Sequence, residues 1–182
     1  AVAYEKVLVN ALMRAKELVS KGYDLFATPS LLYFLSNNID STCFADNPET
    51  LKMYEELDDS DIWSALKVWK HSDDVILSTL ATDVIDRRIF KVEVHDEPIS
   101  DERVDPICKD ISVKMNIDEA DARKYMMSVD TIQKDMYDTD DDNISILFKN
   151  DETKDISEAS ELLNVQLLSK KIRKYYLCYQ RI

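Results

Sequence analysis

A length of 182 residues with 45% hydrophobic residues predicts one domain with a substantial core, with room for a smaller appended subdomain. One glycine and four prolines are too few turn-forming residues for a sandwich or barrel of many short strands, so helix is expected to dominate. The net charge of −13 argues against binding to a nucleic-acid backbone, because that binding needs clustered cations.

The cysteines and the hydropathy pattern indicate the cellular compartment in which the protein is expected. Cys43, Cys108 and Cys178 are far apart, odd in number and without a metal-binding spacing, so we interpret them as reduced cysteines of a cytoplasmic protein. No apolar run reaches the roughly 18 residues of a membrane span, and no signal peptide is visible. Because the predicted amphipathic helix begins almost at Ala1, the chain is predicted to begin at a boundary within a longer protein.

The first half of the chain reads as a series of helices. Apolar residues spaced three and four apart predict a helix over residues 3–21, with Gly22 just beyond its end. Residues suited to helix starts precede each later apolar stripe. These starts are Thr28-Pro29-Ser30, Asn47-Pro48-Glu49, Asp58-Asp59-Ser60-Asp61 and Ser72-Asp73-Asp74, and the last helix ends in Arg87-Arg88.

The pattern changes near residue 90, where alternating apolar and polar residues begin. Strands are predicted at residues 90–94, 144–148 and 175–179, helices at residues 101–115, 118–126 and 157–163, a turn at Asp138–Asn143 and a polar helical turn at Ser169–Lys174. Residues 128–136 are ambiguous between strand and other structure. The predicted fold class is therefore α+β, mostly α: a helical lobe over residues 1–89 and a small α+β C-terminal subdomain over residues 90–182, expected to form one compact unit.

Two histidines are the only candidates for a His-Asp metal site. Such a site needs one histidine, a His-Asp pair and a distant aspartate that converge on a divalent metal. His95-Asp96 has the sequence of the His-Asp pair, but it lies at the end of a predicted strand. The separate histidine of the site would have to be His71, which lies in a polar turn. We interpret both histidines as surface residues, and we predict no metal site and no catalytic residue in this chain.

An acidic segment resembles the start of a calcium-binding loop. Asp138, Asp140 and Asp142 have the right spacing, but the loop needs Gly at its sixth position and Glu at its twelfth. Asn143 and Lys149 occupy those positions, so an acidic hairpin or loop is the preferred interpretation. A single glycine also excludes a glycine-rich phosphate loop, and no GxSxG nucleophile motif is present.

One basic cluster is notable in so acidic a chain. Arg87, Arg88 and Lys91 lie at the predicted helix-to-strand junction. They can compensate the negative end of the helix, or they can bind a phosphate, because guanidinium groups match phosphate oxygens in geometry. We retain these three as candidate effector- or phosphate-binding residues. A second cluster, interpreted as a solvated helix face or a contact between subunits, comprises Lys170, Lys171, Arg173 and Lys174.

Several segments resemble a known family in their order and spacing. The family is the HD-superfamily deoxynucleoside-triphosphate triphosphohydrolases, whose C-terminal lobe carries two motifs of interest. The L-x-D-x-x-[IF] motif resembles the acid-rich stretch Leu57–Ala65. The R-x-[LI]-F-K motif, which follows one helix later, resembles Arg87–Lys91. Glu5–Val9 resembles the long helix that follows the metal-binding core of that family. The tail of the chain resembles a bacterial branch of it in the segments Asp155–Ser160, Leu168–Lys171 and Tyr175–Gln180.

This resemblance implies a role within a larger enzyme. In the family, an HD core holds a divalent metal and hydrolyses the nucleotide phosphoester, and that core would lie upstream of this chain. The chain would then supply a wall of the active-site cleft and oligomer contacts, and it would be inactive and without a cofactor by itself. In regulated members, the Arg and Lys of R-x-[LI]-F-K contact an effector nucleotide. These map onto Arg87 and Lys91, while Arg88 replaces a commoner polar residue.

The partners expected on this basis are the N-terminal HD catalytic core of the same protein, further copies of the protein and a nucleotide effector. Neither a membrane nor nucleic acid is an expected partner. An alternative from a different class remains open at this point: a stand-alone helical regulatory or protein-interaction module with no enzyme attached.

Overall fold

The structure, a computed structural model, describes residues 2–134, 145–155 and 172–181. The described residues form eight α-helices and five β-strands, so the predicted α+β, mostly α class is confirmed. The helices are α1 Val2–Ser20, α2 Pro29–Ser36, α3 Ser41–Asp46, α4 Pro48–Glu56, α5 Asp59–Trp69, α6 Val75–Asp86, α7 Asp101–Met115 and α8 Glu119–Tyr125. The strands are β1 Lys91–His95, β2 Met127–Lys134, β3 Ser145–Leu147, β4 Thr153–Asp155 and β5 Ile172–Tyr179.

Side-chain caps set some of the helix starts that the sequence predicted, whereas Thr28 forms no side-chain cap at the start of α2. Asp58 accepts a hydrogen bond from the backbone N–H of Ser60, and Asp61 accepts one from the backbone N–H of Asp58, which forms a capping box at the start of α5. Asp74 caps α6 by accepting from the backbone N–H of Leu77 at 2.8 Å. The acid-rich stretch at the start of α5 therefore has a local structural role.

Three features differ from the sequence prediction or lie outside it. Helix α3 was not predicted; it begins because Asp40 accepts from the backbone N–H groups of Thr42 and Cys43. Strand β4, which pairs antiparallel with β3, was also not predicted. The predicted helical turn at Ser169–Lys174 is wrong for residues 172–174, which belong to β5.

Strand pairing explains that correction. β5 is the central strand of a three-stranded sheet with the order β1-β5-β2, so it has neighbouring strands on both sides. Tertiary context of this kind outweighs a weak local preference for helix. The ambiguous segment after residue 128 also belongs to this sheet, as β2. The predicted turn at residues 138–143 and the predicted helix at residues 157–163 lie outside the described residues.

The contacts group the chain into two units. Unit 1 contains residues 1–93, 99–129 and 177–182, and unit 2 contains residues 94–98 and 130–176. The boundary that the sequence suggested, at residue 90, stays a prediction. Unit 2 includes the two-stranded sheet of β3 and β4, in which Ile146 pairs with Lys154.

The core of unit 1 forms where α1 packs on α6 and α6 packs on α5. Ala11 and Ala15 are fully buried on α1, and small side chains of this kind let helices approach closely. Trp69 fills the core from α5 while its indole N–H donates to the Phe26 carbonyl at 2.8 Å, so its one polar group is satisfied. No helix among the described residues combines the length and apolar character that crossing a membrane requires.

Candidate anion-binding site

Helix α6 ends in an unusual backbone conformation at Arg87. This residue has φ 56° and ψ 37°, the left-handed region that glycine or asparagine usually occupies after a helix. The backbone N–H of Arg88 closes the turn by donating to the Asp83 carbonyl at 2.8 Å. An arginine in this conformation is strained, and strain of this kind is concentrated at functional sites.

A pocket of about 330 Å³ opens beside this turn, within unit 1. Arg87, Arg88 and Asp83 line it from the end of α6, and Gln180 and Arg181 line it from the residues that follow β5. The backbone N–H of Gln180 donates to the Met126 carbonyl at 2.8 Å, which holds that segment against the core. Three arginine residues therefore line one pocket in a chain with a net charge of −13.

Asp83 is the buried member of this group. Only 4% of the residue is exposed, and its Oδ2 atom has no hydrogen-bond partner among the described residues. Burial raises the pKa of the Asp83 carboxyl above its ordinary value, because the charged form loses hydration, while the Gln180 amide and the Arg88 charge partly oppose that shift. The pocket thus combines exposed cations with one desolvated acid.

A second pocket, of about 260 Å³, shares part of its lining with the first. The two share Asp83, Arg88 and Gln180. Lys70, together with hydroxyl side chains, completes the lining of the second pocket; the hydroxyl residues are Ser78, Thr79 and Thr82. The second pocket therefore has both cationic and hydroxyl donors in its lining.

Lys91, the third residue of the predicted cluster, has other partners. Its ammonium group lies 3.9 Å from a Glu93 carboxylate oxygen and 5.3 Å from the centre of the Tyr179 ring. Glu93 also accepts from the Arg103 guanidinium at 2.6 Å and from the Tyr179 hydroxyl at 2.8 Å. The structure therefore brings Arg87 and Arg88 together in one pocket and places Lys91 in a separate ionic cluster on β1.

The histidines occupy different units. His71 lines a pocket with Asp24 and Asp73 in unit 1, and His95 lies on β1 in unit 2. Asp96, the second residue of the His-Asp pair, accepts a hydrogen bond from Lys174, and this bond lowers the pKa of the Asp96 carboxyl. No group of three or more His, Cys, Asp or Glu side chains in residues 2–134, 145–155 and 172–181 is placed to hold a metal ion.

The remaining residues singled out from the sequence are less informative. Arg173 is exposed on β5, and Lys174 pairs with Asp96. Lys170, Lys171 and the three aspartates of the calcium-like segment lie outside the described residues.

Sequence reasoning missed Asp83, Gln180 and Arg181. Asp83 carried a usable signal, because it falls on the apolar stripe of α6 between Leu80 and Val84, where a charged residue is rare unless it has a function or a partner. Arg181 carried none, because it comes to the pocket from a strand at the far end of the chain. The arrangement as a whole suits an oxyanion, which three guanidinium groups can bind through charge-assisted hydrogen bonds.

Comparisons with known proteins add to this geometry. The chain matches no protein-family model and none of the curated proteins. Among solved structures, its fold matches the crystal structure of a phosphohydrolase from Bacteroides thetaiotaomicron with a TM-score of 0.90 and 50% sequence identity. The chain is similar to a phosphohydrolase. The match covers 99% of this chain and 44% of that phosphohydrolase, so the chain spans less than half the length of the protein it resembles.

Proposed function

We propose that this chain is the C-terminal accessory and oligomerisation region of an HD-domain, metal-dependent nucleotide phosphohydrolase of the dNTPase-like class. The observation that carries the proposal is the 50% identity to a phosphohydrolase across 99% of the chain. Because the match covers 44% of that protein, we assign catalysis to a segment outside the matched part. There a divalent metal would orient the nucleophile and stabilise developing negative charge.

The arginine pocket is the proposed effector site of this region. Arg87 and Arg88 of the R-x-[LI]-F-K segment border the pocket, and Arg181 adds a third cation. Their guanidinium groups would hold the phosphates of a nucleotide effector. Lys91, which pairs with Glu93, would join only if a bound phosphate drew it away from that carboxylate.

An apolar groove is the surface that we propose the catalytic core covers. It measures about 310 Å³ and lies between α1, α2 and the start of α5. Val9 and Met13 remain 41% and 45% exposed there, although both are apolar. Exposed apolar patches of this kind mark interaction surfaces.

We also propose that the whole protein is cytoplasmic. Cys43, Cys108 and Cys178 form no disulfide with one another, which suits a reducing compartment.

Thermal melting of the chain with each dNTP and with GTP, with and without magnesium or manganese, tests the effector site. A saturable rise in melting temperature is expected, because a ligand that binds only the folded state stabilises it. Arg87→Glu should abolish the rise, since it places a carboxylate among the phosphates. Lys52→Glu makes the same charge change on the exposed face of α4 and should leave the rise intact. An unchanged rise in the Arg87→Glu variant would contradict the effector role.

The reading frame that encodes this chain tests the catalytic part of the proposal. An H…HD…D pattern is expected upstream, and the full product should hydrolyse a dNTP in a metal-dependent reaction. A start codon close to the Ala1 codon would instead favour the stand-alone interaction module.

A further inference from the structure

Helix α5 carries a large apolar side chain outside its buried face. The buried residues of this helix, Ala65, Leu66 and Trp69, belong to the core, where α5 packs on α6 and α2. Trp63 lies outside that face and is 42% exposed. Tryptophan is among the side chains most enriched where proteins bind one another, so an exposed tryptophan on a well-packed helix indicates a contact surface.

Two opposite charges lie at equal distances on either side of Trp63. Asp59 precedes it by four residues and Lys67 follows it by four, so the three side chains share one stripe along the helix. Both charged residues are exposed, and neither forms an ion pair with another described residue. They are about 12 Å apart along the helix axis, which is too far for them to pair with each other.

The electrostatics of the helix ends account for the two charges but not for the tryptophan. Acidic residues suit the first turn of a helix and basic residues the last, as Asp59 and Lys67 do here. The capping box at the start of α5 is formed by Asp58 and Asp61 and does not use Asp59. An exposed tryptophan midway between the charges stabilises neither helix end, so a contact outside the helix explains the stripe better.

The spacing makes this stripe complementary to itself. When two copies of the helix pack antiparallel about a two-fold axis at Trp63, Asp59 of each copy faces Lys67 of the other. Such a contact forms two ion pairs and buries both tryptophan rings at its centre, where aromatic residues contribute most to binding. Ser60 and Ser64, which are also exposed, are small enough to let the two helices approach closely.

We propose that α5 is a dimerisation surface, which pairs antiparallel with α5 of a second copy about an axis at Trp63. The inference rests on the oligomerisation role proposed above and names the surface that performs it. None of Asp59, Trp63 and Lys67 lines the arginine pocket or the apolar groove, so this contact uses different residues. One helix of 11 residues buries less than a standard interface of about 1,200–2,000 Å², so a weak dimer is expected.

Sedimentation equilibrium of the chain over a range of protein concentrations tests the contact. A reversible dimer is expected, with a dissociation constant that rises with salt because part of the attraction is electrostatic. Trp63→Ala should raise that constant by about tenfold or more. Phe148→Ala, the control, removes an aromatic side chain of similar exposure, 39%, from unit 2 and should not change it. A chain that stays monomeric at millimolar concentration would overturn the inference, as would an unchanged dissociation constant in the Trp63→Ala variant.

A charge exchange tests the antiparallel arrangement. Asp59→Lys and Lys67→Asp should each weaken the dimer, because either substitution places like charges opposite each other at both ends of the contact. An equimolar mixture of the two variants should form a heterodimer about as tightly as the unmodified chain, since opposite charges then face each other in both pairs. Restoration by mixing would show that both variants are folded and would distinguish a direct contact from a local effect on the helix. A mixture that stays monomeric, with both variants folded by circular dichroism, would refute the antiparallel pairing.

The outcomes separate this inference from the function proposed above. If the chain dimerises and no α5 variant changes the dissociation constant, the oligomerisation role stands and its assignment to α5 is refuted. If the chain is monomeric, the oligomerisation role and this inference fail together, whereas the upstream reading frame still decides the phosphohydrolase proposal.

Discussion

Arg87 combines an unfavourable backbone conformation with a place in the lining of a pocket. The position after α6 has a left-handed backbone, in which glycine has no steric penalty, and this chain has an arginine there. Its charge complements the negative end of α6, and its side chain lines a pocket with two further arginines. Backbone strain and pocket geometry thus indicate the same role for one side chain.

Arg87→Gly is expected to raise the free energy of unfolding by about 0.5–1 kcal/mol, because it relieves the strain of a non-glycine residue at positive φ. Phosphate binding should fall in the same variant. Urea denaturation and phosphate titration measure the two effects. Asn116→Gly is the matched control, since Asn116 has φ 53° at the end of α7, away from the pocket, and should leave phosphate binding unchanged. Full phosphate affinity in the Arg87→Gly variant would refute the role assigned to Arg87.

At the scale of elements, a charged network joins α1 to α6 and α8. Arg14 on α1 is only 8% exposed and donates to Asp74 at 2.7 Å and to Asp121 at 3.4 Å. Asp74 also caps α6, so one carboxylate both starts a helix and anchors it to its neighbour. One turn along α1, Glu17 accepts from Lys124, at 2.7 Å, and from the hydroxyl of buried Tyr125.

Glu17 is expected to make the chain sensitive to acid. Hydrogen bonds from Lys124, Lys21 and Tyr125 lower the pKa of Glu17 to about 2 from an ordinary value of 4.5. A lowered folded-state pKa stabilises the fold above the unfolded pKa, and this stabilisation is lost as the pH falls from 4.5 toward 2. After allowance for solvent screening, the contribution is about 1–2 kcal/mol.

Glu17→Gln should therefore lower the free energy of unfolding at pH 7 by about 1–2 kcal/mol. Between pH 4.5 and pH 2, the free energy of unfolding should fall less steeply in this variant than in the unmodified chain. Urea denaturation at several pH values measures both effects. Glu56→Gln is the control, because Glu56 forms only a 4.0 Å surface pair with Lys52. If the free energy of unfolding falls equally steeply with acid in the Glu17→Gln variant, other carboxylates are responsible for the acid sensitivity.

At the scale of the whole molecule, two surfaces in the described part of the chain bear on function. One is the arginine pocket, and the other is the apolar groove between α1, α2 and α5. Under the proposed function, the remainder of a longer phosphohydrolase would pack on this exposed apolar surface. The groove and the pocket would then serve assembly and ligand binding separately.

Met13→Glu tests the groove. Met13 is 45% exposed, so the change should leave the free energy of unfolding of this chain within about 0.5 kcal/mol. It should weaken binding to the remainder of the protein supplied as a separate polypeptide, because a carboxylate would be buried at the contact. Val113→Glu, at a residue 71% exposed on α7, is the control and should not affect that binding. Unchanged binding in the Met13→Glu variant would exclude the groove as the contact surface.

The sequence by itself determined the features that depend on neighbouring residues. The apolar spacing of α1, the caps at Asp58 and Asp74, and the adjacency of Arg87 and Arg88 are local, because helix periodicity and capping act within one or two turns. Helix α3 was missed although its cap, Asp40, is also local, because its six residues carry no clear periodic stripe. The predicted helical turn failed at residues 172–174 because their state depends on partner strands.

Only the tertiary structure decided which residues share a site. Gln180 and Arg181 reach the pocket because β5 returns the end of the chain to the core beside Met126, a convergence of segments far apart in sequence. Lys91 is four residues from Arg87 but faces Glu93 and Tyr179, because the strand that follows the turn directs it elsewhere. Local rules specify elements, whereas a binding site depends on how packing brings distant elements together.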